Sequence, residues 1–170
     1  LVGPISLNDP TGTEVYGKKD TSLSQTVSFS GSGSFSATGL PPGLSINAAT
    51  GEIHGSTGVV GSQNFTVTAT GTTAGGESVS VSKQYMIVIS DPSSFPFSVN
   101  LTIPASQVNS TLTDFPLLVS LSSSITGFSY NAFLDSDGDG IRTGGDLRFF
   151  AVNGKELSYE LADWNTSGES

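Results

Sequence analysis

The feature that most constrains the fold of this chain is a two-residue alternation of apolar and polar side chains. In Asn64–Thr70 the apolar residues are Phe65, Val67 and Ala69, and polar or hydroxylated residues separate them. Ser78–Ile89 and Phe97–Ile103 repeat the pattern at odd positions, with one interruption at Lys83. Successive side chains of a β-strand point to opposite faces, so each segment predicts a strand with one buried and one solvated face. A β-sandwich is built from such strands.

Other segments extend the same prediction to the rest of the chain. Phe115–Leu121 and Leu157–Leu161 also alternate, whereas Leu147–Val152 is apolar on both faces apart from Arg148 and predicts a central strand. No long stretch has the 3.6-residue period of an amphipathic helix. Serine, threonine and glycine number 29, 18 and 21 of the 170 residues, a composition that favours short strands and turns. The predicted fold class is all-β.

A break in this periodicity predicts the domain boundary. The run Asp91-Pro92-Ser93-Ser94 has turn chemistry and separates two strand signals. We therefore expect two β-sandwich domains in tandem, residues 1–90 and 97–170, joined by a linker at 91–96.

Charge and cysteine content exclude several classes of function. The net charge is −9, of which −2 falls in residues 1–90 and −7 in residues 91–170. An acidic surface repels phosphate backbones, so we expect no nucleic-acid partner, while it can attract divalent cations. The absence of cysteine excludes disulfides and thiol catalysis. No run approaches the roughly 18 apolar residues of a membrane span, so no membrane insertion is expected of this segment.

The most specific motif is a twelve-residue acidic loop from Asp135 to Asp146. It fits the calcium-loop pattern D-x-D-x-D-G-x5-[DE], with Gly140 at the sharp turn. Calcium requires six to eight hard oxygen ligands, and clustered carboxylates favour a neutralising cation. The alternative is that the Asp-Gly pairs only form hairpin turns. The predicted calcium ligands are Asp135, Asp137, Asp139, Ile141 through its carbonyl, Thr143 and Asp146.

The sequence contains no convincing set of catalytic residues. His54 is the single histidine and should lie on a wet strand face, so a nucleophilic triad is not supported. Glu160 and Asp163 lie near Trp164, as in glycoside hydrolysis, but a solvated strand end with Trp164 packed at the rim of the sandwich explains them better. Tyr130, Tyr159 and Trp164 are the aromatic residues available for stacking on a sugar, although aromatic residues in a sandwich usually belong to its core. We predict no catalytic or cofactor-binding residues and no enzymatic activity.

Residues 1–90 contain a set of motifs that resembles a known repeat family. These are Gly39-Leu40-Pro41-Pro42-Gly43-Leu44-Ser45-Ile46, Thr50-Gly51-Glu52-Ile53-His54-Gly55 and Asn64-Phe65-Thr66-Val67-Thr68-Ala69. The set is similar to the immunoglobulin-like (cadherin-like) repeat of bacterial surface proteins. The resemblance implies a complete sandwich that acts as a spacer outside the cell.

Residues 95–165 resemble a second bacterial family, the domain of unknown function numbered twenty-three forty-one. The resemblance lies in Phe115–Leu121, Asp146–Phe150, Leu157–Leu161 and Asp163-Trp164-Asn165. It implies a lectin-type β-sandwich in which several more strands follow. We therefore expect the second sandwich to be truncated at Ser170, with its remaining strands outside this sequence, removed by cleavage or donated by a neighbouring subunit.

The function predicted from the sequence is a non-catalytic extracellular module, stabilised by calcium, in a stalk, an adhesin or a fibre. The alternative is a carbohydrate-binding module of a larger secreted enzyme or lectin. The expected partners are other surface-protein domains, copies of the chain itself or glycans. Both resemblances imply a secreted or cell-surface protein of bacterial origin.

Overall fold

A computed structural model describes the protein at residues 7–8, 13–29, 33–72, 76–95, 97–104, 106, 117–122, 124–126, 128–129 and 147–161. The strands are β1 (Leu7–Asn8), β2 (Glu14–Lys18), β3 (Leu23–Thr26), β4 (Ser28–Phe29), β5 (Gly33–Thr38), β6 (Leu44–Ile46), β7 (Glu52–Gly55), β8 (Gly61–Thr72), β9 (Ser78–Ser90), β10 (Phe149–Phe150) and β11 (Glu156–Leu157). One turn of 3₁₀ helix, Pro92–Ser94, follows β9, and no α-helix occurs within the described residues. The all-β prediction is confirmed.

Two sheets form the principal part of the fold. The larger has the order β2-β9-β8-β5, and the smaller has the order β3-β7-β6. Strand β2 runs parallel to β9, whereas the other pairs are antiparallel. The long hairpin of β8 and β9 is paired from Gly61↔Ile89 to Thr72↔Ser78, which makes it the centre of the larger sheet. Two short pairs, β1-β4 and β10-β11, accompany these sheets.

The core lies between the two sheets, where the alternation predicted it in β8 and β9. Phe65 and Tyr85 are cross-strand partners, and their rings stack with centroids 5.5 Å apart. Ile53 of β7 and Leu44 of β6 contribute from the smaller sheet. Burial of such side chains stabilises the fold by about 1.5–3 kcal/mol each. The buried apolar cluster consists of Val15, Val27, Phe35, Leu44, Ile53, Phe65, Val67, Ala69, Tyr85, Ile87 and Ile89.

Glycines at two turns explain why the family motif has its sequence. The amide of Leu44 donates to the carbonyl of Pro41, and Gly43 has a φ of 90°, so the Pro-Pro-Gly segment reverses the chain. Gly51 has a φ of 72°, and a Cβ there would lie 2.2 Å from the carbonyl oxygen of Val27. A Cβ on Gly43 would likewise lie 2.1 Å from the carbonyl oxygen of Ser56, so a side chain would be strained at either position and would collide with the backbone.

The chain divides into two compact units. The first is formed by Leu1–Pro92 together with Phe150–Leu157, and the second by Ser93–Phe149 and Ser158–Ser170. The described part of the first unit contains the two packed sheets. The prediction of two sandwiches in tandem, with a truncated second one, stays a prediction.

Several strands predicted after residue 96 differ from the structure. Residues 97–104 form no regular strand, and the same is true of residues 117–121. The predicted central strand Leu147–Val152 was wrong, because only Phe149 and Phe150 pair and Val152 is 91% exposed. Of the predicted strand Leu157–Leu161, only the first residue, Leu157, lies in a strand, β11. An apolar run forms a strand only where a neighbouring strand and a facing layer exist, and the described residues provide neither for 97–104 and 117–121.

A tight turn explains why the apolar run ends at Phe150. The amide of Ala151 donates to the carbonyl of Lys155 at 2.8 Å, and the amide of Gly154 donates to the carbonyl of Ala151 at 2.9 Å. Gly154 has a φ of 92°, which glycine adopts without strain. The five residues 151–155 join β10 and β11 into a short hairpin.

Candidate functional site

The predicted calcium ligands, from Asp135 to Asp146, lie outside the described residues. The structure does describe the segment that directly follows Asp146. The hydroxyl of Tyr159 donates to the carbonyl of Leu147 at 2.9 Å, and the Tyr159 ring packs edge-on against Phe149 with centroids 5.3 Å apart. The chain is therefore held by a side-chain hydrogen bond one residue after the predicted closing ligand. Elsewhere, the described residues contain no group of three or more potential metal ligands of the His, Cys, Asp or Glu type.

The aromatic residues considered for sugar stacking are described only in part. Tyr130, Asp163 and Trp164 lie outside the described residues. Tyr159 is described, but its hydroxyl is bonded to Leu147 and its ring contacts Phe149. The Tyr159 ring is thus engaged within the protein.

His54 lies on the exposed face of β7, as the alternation predicts. It is the cross-strand partner of both Ser24 and Ser45, which places all three residues on one face of the smaller sheet. Glu52 lies on the same strand, two residues away, and its carboxylate accepts a hydrogen bond from the Ser24 hydroxyl at 2.6 Å. A hydrolase triad requires the acid to orient the imidazole, whereas this carboxylate is engaged by the serine. The face is a polar, solvated surface of the sandwich.

A charged cluster fixes the point where the larger sheet ends. The ammonium group of Lys19 lies 3.1 Å from the carboxylate of Asp91, and the Lys19 amide donates to the carbonyl of Ser90. The hydrogen bond to Asp91 and the charge of that carboxylate raise the pKa of Lys19 above its usual value. Asp20 follows with a φ of 54°, and its amide donates to the carbonyl of Thr57. These contacts tie β2, β9 and the loop after β7 together at the end of the sandwich.

Tyr16 marks a contact that the sequence interpretation missed. Its hydroxyl donates a hydrogen bond to Glu14, which together with partial burial and the Glu14 charge raises the pKa of Tyr16. The ammonium group of Lys155 lies 5.1 Å from the centre of the Tyr16 ring, a cation–π contact. Two signals in the sequence could have indicated the contact between the Lys155 segment and Tyr16. Asn153-Gly154 is a strong turn dipeptide, and Tyr85–Ile89 is apolar on both faces, as expected of a strand covered on both sides.

Comparison with known proteins identifies the family of the sandwich. The family model named He_PIG, described as a putative Ig domain, matches residues 3–90. The chain belongs to this family. The match covers the two packed sheets and confirms the resemblance to an immunoglobulin-like repeat. The resemblance of residues 95–165 to the second family stays a prediction.

One solved structure with local similarity is that of a putative α-galactosidase from Bacteroides fragilis. It is 27% identical over 51% of this chain, with a TM-score of 0.43. The matched region spans 17% of the galactosidase chain. Among curated proteins, none matches this chain. Within the described parts of the chain, no helix is long and apolar enough to cross a membrane.

Proposed function

We propose that this chain is a non-catalytic extracellular structural module in which an Ig-like sandwich acts as a spacer within a stalk, an adhesin or a fibre. The observation that carries the proposal is the membership of residues 3–90 in the Ig-like family, together with a closed core between two sheets. The outward faces of β7 and β8 carry hydroxyl and other polar side chains such as Ser62, Asn64 and His54. A rigid sandwich with a solvated surface is suited to holding other domains apart.

We further propose that calcium binds the loop Asp135–Asp146 and stabilises the acidic second half. The spacing of Asp135, Asp137 and Asp139, closed by Asp146, supports this proposal. A cation that binds only the folded state stabilises it by RT ln(1 + [L]/Kd), about 2.7 kcal/mol at 100 times Kd. The proposed role of the ion is mechanical stabilisation, with no part in a reaction.

Thermal unfolding of the full chain, with calcium or with a chelator, tests the calcium proposal. We expect calcium to raise the melting temperature of the natural protein by several degrees and to have no effect on Asp139→Asn. Asp20→Asn is the matched control, because it removes the same charge outside the loop and asparagine tolerates a positive φ. An equal melting temperature with and without chelator would exclude the site.

Glycan-array binding and sedimentation of the full chain test the spacer role. We expect no glycan to bind above background in the presence of calcium. Saturable binding to one class of glycan would instead favour the carbohydrate-binding module predicted as the alternative. Concentration-dependent assembly into filaments would favour a fibre subunit over a stalk or adhesin segment.

A further inference from the structure

The outer face of β2 and β9 is less exposed than the neighbouring part of the same face on β8. Val15 and Gly17 are buried on the core side of β2, so Tyr16 and Lys18 lie on the opposite side. The register pairs Tyr16 with Val88 and Lys18 with Ser90. These four residues form what we call the outer strip. All four are half-buried, whereas Ser62 and Asn64 on the same face of β8 are exposed.

The tip of the β10–β11 hairpin contacts this strip. Gly154 is buried, and a Cβ built on it would lie 2.6 Å from the carbonyl oxygen of Gly17, 2.8 Å from Cγ of Lys18 and 2.9 Å from Oγ of Ser90. Lys155 places its ammonium group over the ring of Tyr16. Residues 150–157 accordingly belong to the same compact unit as the Ig-like sandwich, although nearly 60 residues separate them from β9.

We propose that residues 150–157 are a strap of the Ig-like sandwich, and that closing of the strap controls the stability of edge strand β2. The free edge of a sheet is where a β-protein opens most readily, and natural folds protect such edges by covering them. Among the strands that the structure describes, β2 is an edge strand of five residues whose one neighbour is β9. The strap seats a glycine where any side chain would collide and adds a cation–π contact beside it. A segment far along the sequence therefore sets how often the edge of the sandwich opens.

The substitution Gly154→Ala in the full chain tests the strap, with Gly76→Ala as a matched control. Both glycines have a positive φ, 92° and 84°, so both substitutions impose similar backbone strain. Only Gly154 has close neighbours, because a Cβ on Gly76 meets nothing within 4 Å. The two variants therefore differ in whether the new methyl group forces the strap away from β2.

The measurement is amide hydrogen exchange followed by mass spectrometry, with separate peptides for β2, for the strap and for β8. In Gly154→Ala we expect exchange in both the strap and β2 to become about tenfold faster or more. In Gly76→Ala we expect exchange in β2 to remain as in the natural protein. The β8 peptide, which lies at the centre of the larger sheet, should stay protected in both variants and reports that the sandwich is folded.

Exchange in β2 that is no faster in Gly154→Ala than in Gly76→Ala would overturn the proposal, as would faster exchange confined to the strap. If Gly154→Ala also loses protection in β8, the sandwich itself has been destabilised and the strap must be tested with Lys155→Met instead. That variant keeps the backbone and removes the cation above the Tyr16 ring. We then expect about two- to five-fold faster exchange in β2. Unchanged exchange in β2 of Lys155→Met would in that case contradict the strap.

Discussion

Two segments of this chain have the same pattern and different environments. Asn64–Thr70 and Phe97–Ile103 both place apolar side chains at every odd position. In the first segment those side chains are buried, with Phe65 at 2% exposure. In the second they face outward, with Phe97 at 59% exposure, and residues 97–104 form no strand. Alternation therefore identifies the face that can be buried, but it does not supply the layer that buries it.

The difference comes from what surrounds each segment. Strand β8 is hydrogen-bonded on both sides, to β5 and β9, and packs against the smaller sheet. Strand preference is mainly a preference for such a half-buried, paired environment, because an isolated strand gains little from its own sequence. The described residues provide that environment for 64–70 and not for 97–103.

The largest effect is expected from a matched pair of alanine substitutions, Phe65→Ala and Phe97→Ala. Removal of the buried Phe65 ring leaves a cavity and should lower the free energy of unfolding by about 3–5 kcal/mol. Removal of the exposed Phe97 ring should lower it by less than about 1 kcal/mol. Urea denaturation of the full chain, followed by circular dichroism, measures both. Similar losses in the two variants would mean that Phe97 is buried in solution, and the contrast between the segments would fail.

Much of the Ig-like half could be predicted from sequence because its signals agree with one another. The alternation in β8 and β9, the Pro41–Gly43 turn and the exposed position of His54 are all local features, and the structure confirms each. The docking of Gly154 on Gly17 could be predicted only in part. The Asn153-Gly154 turn and the apolar run Tyr85–Ile89 indicate a turn and a covered strand, but no local pattern specifies that the two meet across nearly 140 residues. The calcium loop is a third case, in which the spacing of Asp135–Asp146 supports a ligand set that still requires a metal-binding experiment.

A smaller loss of stability is expected when a methyl group is added at Gly51, where the backbone turn of the Ig-like half requires glycine. Gly51→Ala places a methyl group at a positive φ and 2.2 Å from the Val27 carbonyl oxygen. The strain and the overpacking should together lower the free energy of unfolding by about 2–5 kcal/mol. Gly76→Ala, with a similar φ and open space, should cost only the strain, about 1–2 kcal/mol. Urea denaturation of both variants measures the difference, and equal losses would mean that the turn at Gly51 can move away from Val27.

The smallest effect concerns the ion pair between Lys19 and Asp91, where the sandwich meets the predicted linker. The pKa of Lys19 is raised above its usual 10.5 by the hydrogen bond to Asp91 and by the charge of that carboxylate. A raised pKa means that the folded state favours the protonated amine. The stabilisation is therefore fully present below about pH 10.5 and is lost as the pH rises through the raised pKa. Because the Lys19 side chain is 38% exposed and the ion pair is only partly buried, its contribution should be smaller than either effect above.

A double-mutant cycle with Lys19→Met and Asp91→Asn isolates this contribution. Urea denaturation at several pH values between 7 and 12 should give a favourable coupling free energy at neutral pH that disappears at the alkaline end. Tyr16 has a raised pKa as well, so its ionisation destabilises the fold over the same alkaline range. It does so in all four proteins, however, and cancels in the cycle. A coupling free energy that persisted above the pKa of Lys19 would show that the side chains interact through packing rather than charge. The junction after β9 would then be held by contacts that do not depend on pH.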